Sequence, residues 1–150
     1  MAITQAVCNS FKTEILTAIH DFTNGTGHTF KLALYTSSAA VLDKNTTAYA
    51  TNPGGGGNTE VGDSGTYSAG GGTLTSATPT LDTDTAVCDF ADISFTAATI
   101  TARAALIYNS SATNKAVEVL DFGSDKTSTA GTFSIVFPAP DAANAILRLA

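Results

Sequence analysis

The chain has little charge and no tryptophan. Of its 150 residues, 7 are Lys or Arg and 13 are Asp or Glu, so that charged residues make up 13%, about half of the ~25% typical of a soluble domain. The basic residues are scattered along the chain. We expect no nucleic-acid partner, because binding a row of phosphates requires a basic cluster.

Cysteine and long apolar runs are also scarce. Cys8 and Cys88 are the only cysteines, too few for a disulfide framework, and we predict that both are buried apolar side chains. No apolar run approaches the ~20 residues of a membrane-spanning helix, so no membrane partner is expected. The N-terminal segment lacks the pattern of a secretory signal, and we expect synthesis in the cytoplasm.

Threonine is abundant, and its β-branched side chain favours strands. Alternating apolar residues predict strands at many places, such as Phe30, Leu32 and Leu34 in "TFKLALYTS". The stretch "TITARAALIYNSS" is nearly uncharged on both faces and predicts a central strand. The last stretch, "NAILRLA", predicts Leu147 and Leu149 pointing inward. Roughly eight such strands predict an antiparallel β-sandwich of jelly-roll type over 29–150.

One helix precedes the strands. Val7, Phe11, Ile15, Ile19 and Phe22 recur every three or four residues, which is the period of an amphipathic helix. With Thr4 as N-cap and Asn24-Gly25 as the stop, the pattern predicts a helix over about 4–23. Since neither a repeat nor a domain boundary is visible, residues 1–150 are predicted to form one domain.

A long segment without periodicity lies at 43–72. Loops of this length are uncommon in compact domains and usually functional or disordered. It contains "NPGGGGN" and, near its end, one large aromatic residue. We predict that partner-binding residues lie here, namely Asn52, Pro53, Gly54, Gly55, Gly56, Gly57, Asn58 and Tyr67.

Short motifs that suggest chemistry lack the context they need. Asp121-Phe122-Gly123 matches a kinase metal-binding triplet, but the lysine strand and catalytic loop of a kinase are missing. We predict instead that Phe122 ends a strand and that 123–126 form a hairpin turn. Asp82 and Asp84 in "LDTDTA" predict a solvated turn, with a weak calcium site as the alternative. The glycine run lacks the lysine of a phosphate-binding loop. We therefore predict no catalytic residue, no metal site and no cofactor.

Several co-linear segments together resemble a family of small structural proteins of tailed bacteriophages. The resemblance rests on "MAITQAVCNSFKTEIL", "TFKLALYTSSA", "TARAALIYNSS", "VLDFGSDKTST" and "GTFSIVFPAPDAANAILRLA". It implies a location in the virion and supplies no catalytic residue.

Small size, low charge and a β-rich body favour a capsid decoration, or cement, protein within that family. Such a protein would be a homo-oligomer on the capsid surface, bound to the lattice of the major capsid protein. One alternative is a neck, tail or fibre-base component. The other is a carbohydrate-binding module on the virion that uses Tyr49 and Tyr67 with Asp63.

Overall fold

The computed structural model describes residues 2–55 and 57–150, which form a mainly β protein with one short helix. The elements are α1 (Asn9–Leu16) and the strands β1 (Ala2–Ile3), β2 (Ala6–Val7), β3 (Phe30–Tyr35), β4 (Val41–Leu42), β5 (Gly72–Thr73), β6 (Ser76–Asp82), β7 (Thr85–Phe90), β8 (Ile93–Asn109), β9 (Lys115–Ile135) and β10 (Leu147–Leu149). A large antiparallel sheet has the order β2-β9-β8-β3-β5, and a small antiparallel sheet has the order β10-β7-β6. Strands β1 and β4 form a short parallel pair.

The two antiparallel sheets share one hydrophobic core. Phe30 on β3 and Phe90 on β7 have ring centroids 5.8 Å apart, so they join the large sheet to the small one. The ring of Phe22 stacks on Phe30 at 4.2 Å. The predicted fold class, mainly β with antiparallel sheets and one N-terminal helix, is confirmed; jelly-roll connectivity stays a prediction.

The hairpin of β8 and β9 dominates the large sheet. Strand β8 lies in the middle of the strand order, as the uncharged sequence predicted. Its residues 104–109 are buried on both faces. Strand β3 is also almost completely buried, although alternating apolar residues are typical of a half-buried strand. A second layer therefore covers this part of the sheet, and the long loop provides it.

The helix is shorter than predicted, because its flanks form other structure. Ala6 and Val7 pair with β9, and the amide of Cys8 donates to the carbonyl of Val117 at 2.9 Å. The predicted N-cap Thr4 is therefore in the strand region. After Leu16 the chain leaves the helix, and Ala18 adopts a left-handed φ of 59°. The periodic pattern was correct only at its centre, where Phe11 is buried.

The predicted turn at 123–126 is wrong, because β9 continues through it. The hairpin instead turns between Asn109 and Lys115. On β8, Ala102 pairs with Lys126 and Ala104 with Asp121, so β9 carries extra residues at this point. They form a bulge in which Gly123 has a φ of 75°, a conformation that glycine adopts without steric cost.

Candidate functional site

The long loop is fastened to the sheet by a buried carboxylate. Glu60 is only 4% exposed. Its Oε2 accepts a hydrogen bond from the Tyr49 hydroxyl at 2.6 Å, and its Oε1 accepts from the Tyr67 hydroxyl at 3.1 Å and from the Gly70 amide at 2.5 Å. Three donors from distant parts of the loop meet at one side chain, which satisfies the buried carboxylate and fixes the loop around it.

The same loop pairs with the outer edge of β3. The amide of Leu34 donates to the Tyr67 hydroxyl at 2.9 Å, and the amide of Val61 donates to the carbonyl of Leu34 at 2.8 Å. The ring of Tyr49 stacks on Tyr108 at 4.7 Å. The loop therefore supplies the second layer over the large sheet and shields its edge from solvent.

The tyrosines of this layer stay protonated at physiological pH. Burial raises the pKa of Tyr108 to about 12 and also raises the pKa of Tyr35, Tyr49 and Tyr67. Their hydroxyl groups therefore remain hydrogen-bond donors, as the contacts with Glu60 require. This layer is a structural network, since every hydroxyl group in it has a partner inside the protein.

The structure corrects the predicted partner contact at Tyr67. This side chain is fully buried, with an exposed fraction of 0%, and its ring packs edge-on against Phe95. It cannot contact a partner without unfolding the loop. The sequence suggested exposure because Tyr67 stands alone among glycines and polar residues. In the structure its hydroxyl group is hydrogen-bonded to the amide of Leu34 and to the carboxylate of Glu60.

The tip of the loop lies at the surface, apart from Pro53, which is buried. Asn52 is half-buried, and Gly54 is exposed, although a Cβ at position 54 would crowd Ala40 and Val41. The remaining described residues of the tip are exposed, namely Gly55, Gly57 and Asn58. Gly56 lies outside the described residues. Partner contact through this tip stays a prediction. The rest of the loop, from which the tip projects, is held in place by the hydrogen bonds to Glu60.

The carbohydrate-binding alternative loses the side chains on which it depended. Tyr67 is buried, and the ring and hydroxyl group of Tyr49 are engaged by Tyr108 and Glu60. Asp63 accepts a hydrogen bond from the amide of Ala69 at 2.7 Å, which closes a turn. No free aromatic face is left in the described part of this loop for a sugar ring.

The aspartates of the short motifs accept hydrogen bonds from other groups of the same molecule. Asp121 accepts from Arg103 Nε at 2.9 Å and from the amide of Gly123 at 2.8 Å. Those hydrogen bonds lower the pKa of Asp121. Asp82 accepts from the amide of Ala142 at 2.7 Å. Across residues 2–55 and 57–150, no three His, Cys, Asp or Glu side chains are placed to hold a metal ion.

Helix α1 is held in place by a partly buried network of polar side chains. Glu14 on the helix binds Lys115 Nζ through Oε1 at 2.9 Å and His20 Nε2 through Oε2 at 2.8 Å. His20 Nδ1 in turn lies 3.1 Å from the amide nitrogen of Asn109, which also lies 2.9 Å from Nδ1 of His28. Because an amide nitrogen only donates, both Nδ1 atoms are acceptors and the His20 Nε2 carries the proton toward Glu14. This network connects helix α1 to the turn of the β8–β9 hairpin.

An open groove, which the sequence did not reveal, lies between α1 and the small sheet. It has a volume of about 480 Å³ and an almost wholly apolar lining that includes Phe11, Ile15, Cys88 and Leu147. At its edges Leu16 is 85% exposed and Leu149 is 60% exposed. Leu149 was predicted to point into the core. Its strand, β10, is an edge strand of the small sheet, and the core does not reach its last residue.

A smaller polar cavity of about 320 Å³ lies beside the groove and shares Val7 and Arg148 with it. One of its walls is Glu118 on β9, which is 5% exposed and whose Oε2 has no hydrogen-bond partner among the described residues. Burial raises the pKa of Glu118 to about 8. The side chain is therefore mostly protonated at neutral pH, which reduces the cost of burying it.

Both cysteines are buried and unpaired, as predicted. Burial raises the pKa of Cys8 and of Cys88 to about 12, so neither is a reactive thiolate. In the described part of the chain, no helix has the length and apolar character needed to cross a membrane. Comparisons with protein-family models, curated proteins and solved structures found no match to this chain.

Proposed function

We propose that the protein is a non-enzymatic structural component of a phage virion, and specifically a capsid decoration protein that binds and stabilises the lattice of the major capsid protein. The observation that carries this proposal is the open apolar groove between α1 and the small sheet, with Leu16 and Leu149 at its edges. An exposed apolar surface of this kind is typical of a protein that functions by assembly. The sequence segments that resemble phage structural proteins support a virion as that assembly.

The low charge of the chain favours the same role. A surface rich in threonine, serine and glycine loses little solvation when it packs against another protein, because few charged groups must be desolvated. Each contact can be weak, since a symmetric lattice presents many sites and binding is then multiplied by avidity. The long loop adds a second feature. Because hydrogen bonds already hold most of this loop in place, its exposed tip around Gly55 and Asn58 can contact another protein with little loss of conformational entropy.

The test is a phage that lacks this protein. Particles assembled without it should lose resistance to heat or to osmotic shock, and adding the purified protein should restore that resistance. Particles with full resistance and otherwise normal composition would refute the capsid role. Complementation with Leu149→Asp should fail. The matched control is Val136→Asp, because Val136 is 73% exposed and does not line the groove.

Copy number separates this proposal from the neck, tail or fibre-base alternative. A decoration protein follows the symmetry of the shell and is present in hundreds of copies, whereas a neck or tail component follows the symmetry of one vertex and is present in about a dozen. Densitometry of purified particles, calibrated on the major capsid protein, measures the ratio directly. A ratio that corresponds to one ring per particle would favour the alternative.

A further inference from the structure

The small sheet extends beyond the core that it covers. On its inner face, Leu147 of β10 pairs with Cys88 of β7, and both are buried. Two residues further along, on the same face, Leu149 pairs with Ala86, which pairs in turn with Leu81 of β6. The row of Leu149, Ala86 and Leu81 therefore continues the inner face of the sheet past the point where the rest of the protein covers it.

This row is apolar and open to solvent. Leu81 is 72% exposed, Leu149 is 60% exposed, and Leu16 of α1, on the opposite wall of the groove, is 85% exposed. Leu16, Ala86 and Leu149 line the groove, and Leu81 is the cross-strand neighbour of Ala86. Together the groove and the row form one continuous surface, here called the overhang surface. The core-facing side of a sheet is normally covered, so this surface requires a partner.

The charges around the overhang surface are segregated. The two charged side chains that line the groove are basic, Lys12 and Arg148, in a chain with a net charge of −6. Lys12 donates to Asn9, and Arg148 donates to the carbonyls of Ala142 and Ala143, so neither is paired with a carboxylate in the described structure. The groove of the overhang surface is therefore basic.

The hairpin tip beside Leu81 is acidic. Directly after Leu81 the chain turns through the β6–β7 hairpin, where Thr83 has a left-handed φ of 55° and Asp84 is exposed. Asp82 beside it is already bound to the amide of Ala142. One surface thus carries a basic groove, an apolar row and an acidic tip. The tip of one copy is complementary in charge to the groove of a second copy, and a two-fold axis allows both contacts to form.

We propose that the overhang surface is the two-fold interface of a homodimer, in which the hairpin tip of each copy enters the groove of the other. Leu81 of one copy would then lie against the apolar lining of the groove, and Asp84 would lie near Lys12 and Arg148. Because the interface is two-fold, each contact forms twice and the assembly closes. The proposal extends the proposed function by naming the occupant of the groove, and it leaves the loop tip free for the capsid.

Sedimentation analysis of the purified full-length protein tests the dimer, with no phage particle involved. At about 100 μM, where a dimer with a micromolar Kd is almost fully formed, we expect twice the mass of one chain. Leu81→Asp and Leu149→Asp should each shift the protein to monomer, because a carboxylate would be buried in an apolar contact. Val136→Asp should remain a dimer. Circular dichroism checks that each variant is folded, as expected for substitutions of exposed residues.

A charge exchange tests the orientation without touching an apolar residue. Lys12→Glu and Asp84→Lys should each weaken the dimer severalfold, and the double variant should regain much of the lost affinity, because opposite charges again face each other. A monomeric wild type, or a Leu81→Asp variant that stays dimeric, would overturn the proposal. Rings or filaments would also overturn it, since they require a head-to-tail contact. A wild-type protein that is monomeric and still restores the heat resistance of particles would refute this inference and leave the proposed function intact.

Discussion

The hydroxyl group of Tyr67 donates a hydrogen bond to Oε1 of Glu60 at 3.1 Å, across six intervening residues of a glycine-rich loop. The same hydroxyl group accepts from the amide of Leu34 at 2.9 Å. One side chain thus connects the loop's buried carboxylate to the edge of the large sheet. This connection converts a segment that has no periodic pattern into a covering layer of the core.

Tyr67→Phe should destabilise the protein by about 1–3 kcal/mol, because it leaves the Leu34 amide without its acceptor and removes one donor from Glu60. Chemical denaturation measures the loss. Ser68→Ala is the matched control, since it removes an exposed hydroxyl group from the adjacent residue. Equal stability of Tyr67→Phe and wild type would show that the loop is not held by this hydroxyl group.

Gly71→Ala should cost more than Gly55→Ala, although both glycines have a φ of 80°. A Cβ at position 71 would overlap the backbone carbonyl of Leu32, whereas one at position 55 would meet open space. We expect a loss of roughly 3 kcal/mol or more at 71, and about 1 kcal/mol at 55 from backbone conformation alone. Thermal unfolding of the two variants compares them. Equal losses would mean that the loop does not approach β3 as closely as the structure shows.

Glu118 should make the protein less stable as the pH rises. Its pKa is raised to about 8 in the folded state, against an ordinary value of 4.5, so its contribution is complete below about pH 4.5 and is lost as the pH rises through 8. The total is of the order of a few kcal/mol. Glu118→Gln should flatten this part of the pH profile in urea unfolding and should exceed wild type in stability at pH 9. A neutral substitution at an exposed position, Thr132→Ser, should leave the slope unchanged.

If Glu118→Gln is less stable than wild type at pH 9, the carboxyl group must have a partner in solution that the described contacts lack. That result would exclude an isolated acid beside the polar cavity. If Glu118→Gln keeps the same slope of stability against pH, another group causes the pH dependence.

His20 should titrate below its ordinary pKa of 6.5. Burial lowers its pKa, although the hydrogen bond to Glu14 acts in the opposite direction. Because the unfolded chain takes up this proton first, the contribution of His20 to stability is present above pH 6.5 and declines as the pH falls through the folded pKa. An NMR titration of the imidazole, assigned with His20→Gln, measures the midpoint. A midpoint at or above 6.5 would contradict the buried, neutral imidazole.

Part of this fold follows directly from sequence patterns. The alternation of Phe30, Leu32 and Leu34 correctly predicts a strand, and all three side chains lie in the core; the uncharged stretch around Leu106 correctly predicts a central strand. Such patterns succeed because the side-chain period of a strand is fixed and its burial follows from that period. The burial of Cys8 was predictable for the same reason, since a free cysteine behaves as a small apolar side chain.

The errors arise where a tertiary contact replaces the local preference. Val7 fits the helical period, yet its backbone pairs with Glu118, and no local pattern reveals that strand. Gly123 suits a turn and a bulge equally well, because both use a positive φ. The groove was invisible because Leu149 has the same sequence pattern as Leu147, and only the extent of the core separates the exposed residue from the buried one.

The most direct test of the central claim is an electron-microscopy map of the phage particle at a resolution that identifies this fold. We predict density for the protein on the outer surface of the shell, in contact with the major capsid protein and repeated with the symmetry of the lattice. Density confined to the neck, tail or fibre base would contradict the capsid role, and absence from the particle would contradict the structural role altogether.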